Sequence, residues 1–108
     1  MAKLLTIDVG TTNWKVIIFN ENGDILSSSK TSTVISKDIN NYDCYSSSQM
    51  WNKICACIKD AVKNNHSDIN AISVTSMGEA VIPLDKDGNE LSDIIPWFDT
   101  RSHSQSKL

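Results

Sequence analysis

Runs and alternations of apolar residues divide the chain into strands and a single helix. Lys3 to Val9 carries Leu4, Leu5, Ile7 and Val9, a branched apolar run that predicts a buried strand. Gly10-Thr11-Thr12-Asn13 interrupts it as a tight turn. A second strand is predicted from Trp14 to Phe19, through Val16, Ile17 and Ile18. Asn20-Glu21-Asn22-Gly23-Asp24 then reads as a hairpin, because Asn-Gly readily takes the positive φ values such turns need. The third strand runs from Ile25 towards Ile35, and its many Ser and Thr residues predict an edge or a half-exposed face.

Residues 36 to 47 are polar and predict a loop. Ser46, Ser47 or Ser48 can cap a helix from about Gln49 to Lys63. Met50, Trp51, Ile54, Cys55, Ile58, Ala61 and Val62 recur three and four apart and form its apolar stripe. Lys53, Lys59, Asp60 and Lys63 face away, and Asn64-Asn65-His66 ends the helix. A fourth strand is predicted at Ile69 to Val74, and a fifth, short one at Val81 to Leu84 before the turn Asp85-Lys86-Asp87-Gly88-Asn89. A helix between two strands favours a crossover and parallel pairing. The order β-β-β-α-β implies an α/β fold with a mixed sheet, not a doubly wound parallel one.

The length of 108 residues allows one domain, one that buries roughly two thirds of its unfolded surface. A net charge of -3 leaves no basic face for duplex nucleic acid. No apolar run approaches the roughly 20 residues of a membrane span. The opening Met1-Ala2-Lys3-Leu4-Leu5-Thr6-Ile7-Asp8 predicts a mature cytoplasmic N-terminus. Cys44, Cys55 and Cys57 are an odd number and predict free thiols. Cys55 and Cys57 are two apart on a helix and point to different sides, which argues against a zinc site.

The sharpest local signal is Asp8-Val9-Gly10-Thr11-Thr12 with Lys15 beyond it, at a strand end that opens a hairpin. Gly10 lets the backbone approach an anion closely. Thr11 and Thr12 add hydroxyls and successive N–H groups that can form an anion-binding nest. Lys15 can supply a point charge. Asp8 needs explaining, since a carboxylate about 4 Å from a phosphate charge is repelled by roughly 4 kcal/mol at an effective dielectric near 20. A cation between them removes the conflict, and magnesium takes both carboxylate and phosphate oxygens. The plain alternative is a structural Asp-x-Gly turn between two strands.

Ile7 to Asn13 resembles the first phosphate loop of the actin-like ATPase superfamily, which includes sugar kinases, 70-kDa heat-shock chaperones and actin. Two further segments extend the likeness. Ile72 to Asp85 is a strand, a polar turn bearing Gly78-Glu79, and a second strand; Ile95-Pro96-Trp97-Phe98-Asp99-Thr100-Arg101-Ser102 follows. With the phosphate loop and the helix near Trp51, this ordered set resembles the N-terminal part of the FGGY carbohydrate kinases over essentially the whole chain.

The resemblance implies a ribonuclease-H-like, actin-like domain, here incomplete, with residues 1–108 forming the start of the first, sugar-binding domain. It implies that Asp8 holds magnesium through water, and that Gly10, Thr11, Thr12 and Lys15 face the terminal phosphates of ATP. Glu79, Trp97, Asp99 and Arg101 would bind the sugar or polyol. Gly78 stands where glycerol kinases carry the Arg of an Arg-Glu pair, and the turn lacks the Gln-Met-His of many xylulose kinases; both departures argue against those two substrates. Independently of the family, carboxylates accept hydrogen bonds from sugar hydroxyls, charge-assisted bonds are the stronger kind, and an aromatic face covers C–H surface. The bland alternative keeps Trp97 in the core and pairs Asp99 with Arg101.

Transfer to an alcohol needs a group that accepts the hydroxyl proton. The resemblance places that Asp, and a second domain holding adenosine, beyond this chain. The expectation is therefore an N-terminal fragment, inactive alone, whose uncovered apolar face or strand edge drives copies to associate. Two other readings stand beside the kinase: an ATPase of the chaperone and actin branch, and a non-enzymatic binding domain.

Overall fold

A computed structural model describes every residue except Asn65, Ser67 and Leu108. The elements are β1 (Lys3–Val9), β2 (Asn13–Asn20), β3 (Ile25–Ser32), β4 (Ser36–Lys37), β5 (Asp43–Cys44), α1 (Ser47–Ala61) and β6 (Ala71–Ser76), followed by a 3-10 turn at Gln105–Lys107. The chain divides into two compact units. One is Met1–Thr33 with Trp51–Met77; the other is Val34–Met50 with Gly78–Leu108.

The first unit is built on a four-stranded sheet in the order β3-β2-β1-β6. β1 and β2 pair antiparallel, as do β2 and β3, whereas β1 and β6 run parallel. The mixed sheet expected from the element order is therefore present. Period-two burial sets the faces. Trp14, Val16, Ile18 and Asn20 are buried along β2 while the residues between them are half-exposed. Register places Leu5 opposite Ile18 and Ile7 opposite Val16. On this face Leu5, Val16 and Ile18 meet Cys57 and Ala61 of α1 in the core, with Ile7, Leu26, Ile58, Val62 and Ile69 packed around them. Burying each large side chain there contributes about 1.5–3 kcal/mol.

The predicted hairpin forms as expected. Gly23 takes φ 86°, and the buried Asn20 side chain accepts from the Asn22 and Asp24 amides at 2.9 and 3.0 Å. Of the three capping candidates, Ser46 is the cap: its hydroxyl accepts from the Gln49 amide at 3.3 Å. α1 stops at Ala61, and Asn64 takes the left-handed φ of 58° common after helix ends. Asn65, part of the predicted ending, lies outside the described residues. Trp51, expected in the apolar stripe, is 66% exposed, one turn before the first buried position of the helix, Ile54.

Two strands differ from expectation within this unit. β3 ends at Ser32 rather than Ile35, because Thr33 turns to bond the β1–β2 turn. The fourth predicted strand is displaced two residues, to Ala71–Ser76, because pairing with β1 runs from Leu4 through Val9. Ile69 packs on the core instead. All six residues of β6 are exposed, and Ile72 and Val74 share the face of Leu5 and Ile7.

The second unit has less regular structure. β4 and β5 form a two-stranded hairpin where a loop was expected. Tyr45 and Ile94 exchange both backbone hydrogen bonds at 3.0 Å. The predicted strand at Val81 to Leu84 is reduced to single bridges, Val81 with Ile95 and Leu84 with Glu90. Pro83 lacks the N–H a ladder needs there. Cys44, Cys55 and Cys57 are free thiols, as expected. Burial and neighbouring Asp93 push the Cys44 thiol up, so it stays protonated. No helix among the described residues is long and apolar enough to cross a membrane.

Candidate functional site

The first group of predicted residues lies in the first unit, where β1 turns into β2. Alternation puts Leu4, Thr6 and Asp8 on the face opposite α1. Asp8 is flanked in register by Lys15 of β2 and Thr75 of β6. Lys15 Nζ lies 3.8 Å from Asp8 Oδ2, with both side chains 42% exposed. Such a pair is worth under about 1 kcal/mol, and both charges stay available to a ligand.

The turn itself is tightly held. The Gly10 amide donates to the Asn13 carbonyl at 3.0 Å. A Cβ on Gly10 would meet that carbonyl oxygen at 2.8 Å, so any other residue forces the backbone to shift. Thr33, which sequence reasoning left in a strand, anchors the turn twice. Its amide donates to the Thr12 carbonyl at 3.0 Å and its hydroxyl to the Gly10 carbonyl at 3.1 Å. On the other side the Met77 amide donates to the Val9 carbonyl at 3.0 Å. Thr11 and Thr12 are exposed on this anchored turn. Asp8, Gly10, Thr11, Thr12 and Lys15 are thus brought together as a small polar apex.

Among the described residues no cluster of three or more His, Cys, Asp or Glu could cage a metal. A lone carboxylate beside an exposed polar turn suits an ion that would be held mainly by water and phosphate, as magnesium commonly is.

The second group lies in the other unit. Glu79 is exposed with φ 59°. A left-handed backbone is uncommon for glutamate, and such outliers concentrate at functional positions. Trp97 is 54% exposed, so its ring is not core. It meets Phe98 edge-on at 5.5 Å between ring centres, and Phe98 meets buried Tyr45 in the same manner at 6.3 Å.

Asp99 and Arg101 are joined directly. Asp99 Oδ1 accepts from the Arg101 amide at 2.9 Å and from its Nε at 2.7 Å. Arg101 Nη2 also pairs with Asp38 Oδ2 at 3.4 Å, and its guanidinium lies 4.8 Å from the centre of the Tyr42 ring. Asp38 and Tyr42 were not singled out from sequence. The Asp-Ile-Asn-Asn turn they flank was the signal, since Asp and Asn favour such turns.

The Arg101 hydrogen bond holds the Asp99 carboxyl below the usual carboxylate range, against the opposing effect of burial. A depressed folded pKa adds stability above the ordinary carboxylate value, and that stability is lost as pH falls through it towards the folded value. Asp60, Asp68 and Asp85 are shifted the same way by Lys63, Lys3 and Asn89. The protein is therefore expected to lose a modest part of its stability as pH falls below the ordinary carboxylate range, since exposed pairs each contribute little. Asp99→Asn should flatten part of that slope in thermal melts taken across the acid range. An unchanged slope would show that the pair contributes nothing to it.

Comparison with known proteins gives a consistent result. The FGGY family of carbohydrate kinases, N-terminal domain, matches residues 3–107. A glycerol kinase of Acinetobacter baylyi is 31% identical over 106 residues, spanning 94% of this chain and 21% of that protein. An L-fuculokinase of Haemophilus influenzae is 30% identical over 105 residues, spanning 90% and 22%. Among solved structures, gluconate kinase from Lactobacillus acidophilus superposes with a TM-score of 0.87 at 23% identity, over 98% of this chain and 22% of that one. Plasmodium falciparum glycerol kinase with ADP superposes with a TM-score of 0.82 at 20% identity, over 99% and 22%. The chain spans about a fifth of the length of these relatives.

Proposed function

Because the chain belongs to the FGGY family of carbohydrate kinases, we propose that it is the N-terminal part, residues 1–108, of the sugar-binding domain of an ATP-dependent sugar or polyol kinase. The observation that carries this reading is the anchored Asp8–Gly10 apex. It sets a carboxylate, a lysine and two threonines at the end of a strand paired both parallel and antiparallel. Gly10, Thr11, Thr12 and Lys15 face the terminal phosphates. Asp8 holds magnesium through water, and the ion, when bound, screens phosphate charge. A related glycerol kinase has been solved with ADP, which supports ATP as the donor.

On the sugar side, Glu79 and Asp99 accept hydrogen bonds from hydroxyls, Arg101 holds Asp99, and the exposed Trp97 ring covers C–H surface. In the closed enzyme, water is excluded and the hydroxyl is aligned with the γ-phosphate. The group that accepts the hydroxyl proton is proposed to lie in the part of a full-length kinase that this chain, about a fifth of its relatives' length, does not match. The setting is the cytoplasm, where thiols such as Cys44, Cys55 and Cys57 stay reduced. The chaperone-like reading is disfavoured by the carbohydrate-kinase family match over residues 3–107.

The decisive assay is a panel of pentuloses, hexonates and polyols offered with ATP to a full-length kinase carrying this segment, with ADP release as readout. Substrate-dependent ADP release with one compound class is expected. Release that ignores every sugar would point to the chaperone branch instead.

We also propose that isolated copies of this chain associate through β6. Ala71 to Ser76 is uncharged, free of proline and exposed along its length, at the edge of the sheet. Antiparallel pairing of two copies would set Ile72 against Val74. Sedimentation at rising concentration should show dimers or larger species, and Val74→Lys should return the monomer. A clean monomer throughout contradicts the proposal.

A further inference from the structure

In the second unit one carboxylate does two things at once. Asp38 Oδ1 accepts from the Asn40 and Tyr42 amides at 2.8 and 3.0 Å, closing a short turn. Backbone bonds reinforce that turn: the Asp38 amide donates to the Tyr42 carbonyl at 2.9 Å and the Asn41 amide to the Asp38 carbonyl at 3.0 Å. Asn41 takes the φ of 65° the turn needs, a conformation Asn tolerates. The second oxygen, Oδ2, pairs with Arg101 Nη2 at 3.4 Å. The same turn brings the Tyr42 ring against the guanidinium at 4.8 Å, within cation–π range.

Arg101 is therefore gripped from three directions: Asp38, Tyr42 and Asp99. Its Nη2 atom is buried, and without Asp38 it would lose its charge partner. Its Nε and its backbone amide both fix Asp99 Oδ1, two residues beyond Trp97. Asp99 in turn closes its own segment, its amide donating to the Pro96 carbonyl at 3.1 Å. The Asp99 side chain is 6% exposed and has little freedom apart from this clamp.

We propose that Asp38 and Tyr42 are positioning residues that set the Trp97–Asp99 surface through Arg101. They do not touch the sugar themselves. Their functional meaning rests on the sugar-side reading of Trp97 and Asp99, but their structural action does not.

The test labels the 108-residue chain with 5-fluorotryptophan and records fluorine NMR. Three tryptophan lines are assigned by Trp→Phe changes at 14, 51 and 97. Asp38→Asn retains a carbonyl for the turn amides and removes the negative charge that faces Arg101. Tyr42→Leu removes the ring, and Tyr42→Phe retains it. Asp38→Asn and Tyr42→Leu are expected to shift or broaden the Trp97 line, whereas Tyr42→Phe leaves it in place. The Trp14 and Trp51 lines, from the other unit, should stay fixed in all three. An unmoved Trp97 line in Asp38→Asn overturns the proposal. So does equal movement of all three lines, which would make Asp38 a residue of general stability. Neither outcome depends on whether the sugar panel finds a substrate.

Discussion

Asp8→Asn, introduced into a full-length kinase carrying this segment, is expected to lower the rate of phosphoryl transfer by about 10²–10³-fold, the loss typical when one preorganised charge contact is removed. The change is nearly isosteric and leaves the strand pairing of β1 untouched. The side chain lies on the face away from the α1 core, so folding should be spared. What is lost is the negative charge that holds a hydrated cation against the terminal phosphates. An amide attracts that cation far less, and the phosphate charge goes unscreened. Lys15→Gln is expected to act differently. It removes an attraction for bound nucleotide and should raise KM for ATP more than it lowers kcat. A rate unchanged by Asp8→Asn would reduce the apex to a structural turn.

Ile18→Ala is expected to cost about 2–5 kcal/mol of stability. Ile18 is fully buried, sits on β2 between β3 and β1, and lies directly opposite Leu5. The space it leaves cannot be refilled by strand movement, since β2 is hydrogen-bonded on both sides. Cys57 and Ala61 are too short to reach into it. Urea titration followed by circular dichroism should show a midpoint well below that of the parent. Trp51→Ala, at a site 66% exposed, is the matched control, and its cost should stay within about 0.5 kcal/mol. Equal costs at the two positions would contradict the assigned core.

The strands of the first unit were legible because their physics is local. The apolar run Trp14 to Phe19, the Asn22-Gly23 turn and the three-and-four spacing of Ile54, Ile58 and Ala61 need only neighbours in sequence. The stripe was expected to pass through Cys55, which is half-buried, whereas Cys57 is the buried cysteine of the core. The β4–β5 hairpin was not legible, because two-residue strands show no alternation and their stability comes from distant partners such as Ile94 with Tyr45. Thr33 was hidden for the same reason: its role depends on a turn 21 to 23 residues earlier. Pro83, read as part of a strand, carried a signal against that strand which the apolar neighbours Val81, Ile82 and Leu84 obscured. At the site, residue types pointed to the apex and to the Trp97–Arg101 segment. The grip of Asp38 and Tyr42 on Arg101 spans some sixty residues and follows from folding alone.

The account turns on how the carboxylate at the apex meets a triphosphate. The most direct measurement is ATP binding by calorimetry to the full-length kinase, with and without magnesium, in the parent and in Asp8→Asn. The parent should bind more tightly when magnesium is added, and the variant should lose most of that gain. An equal magnesium gain in both proteins would contradict the assignment of Asp8 and leave the turn without its proposed chemistry.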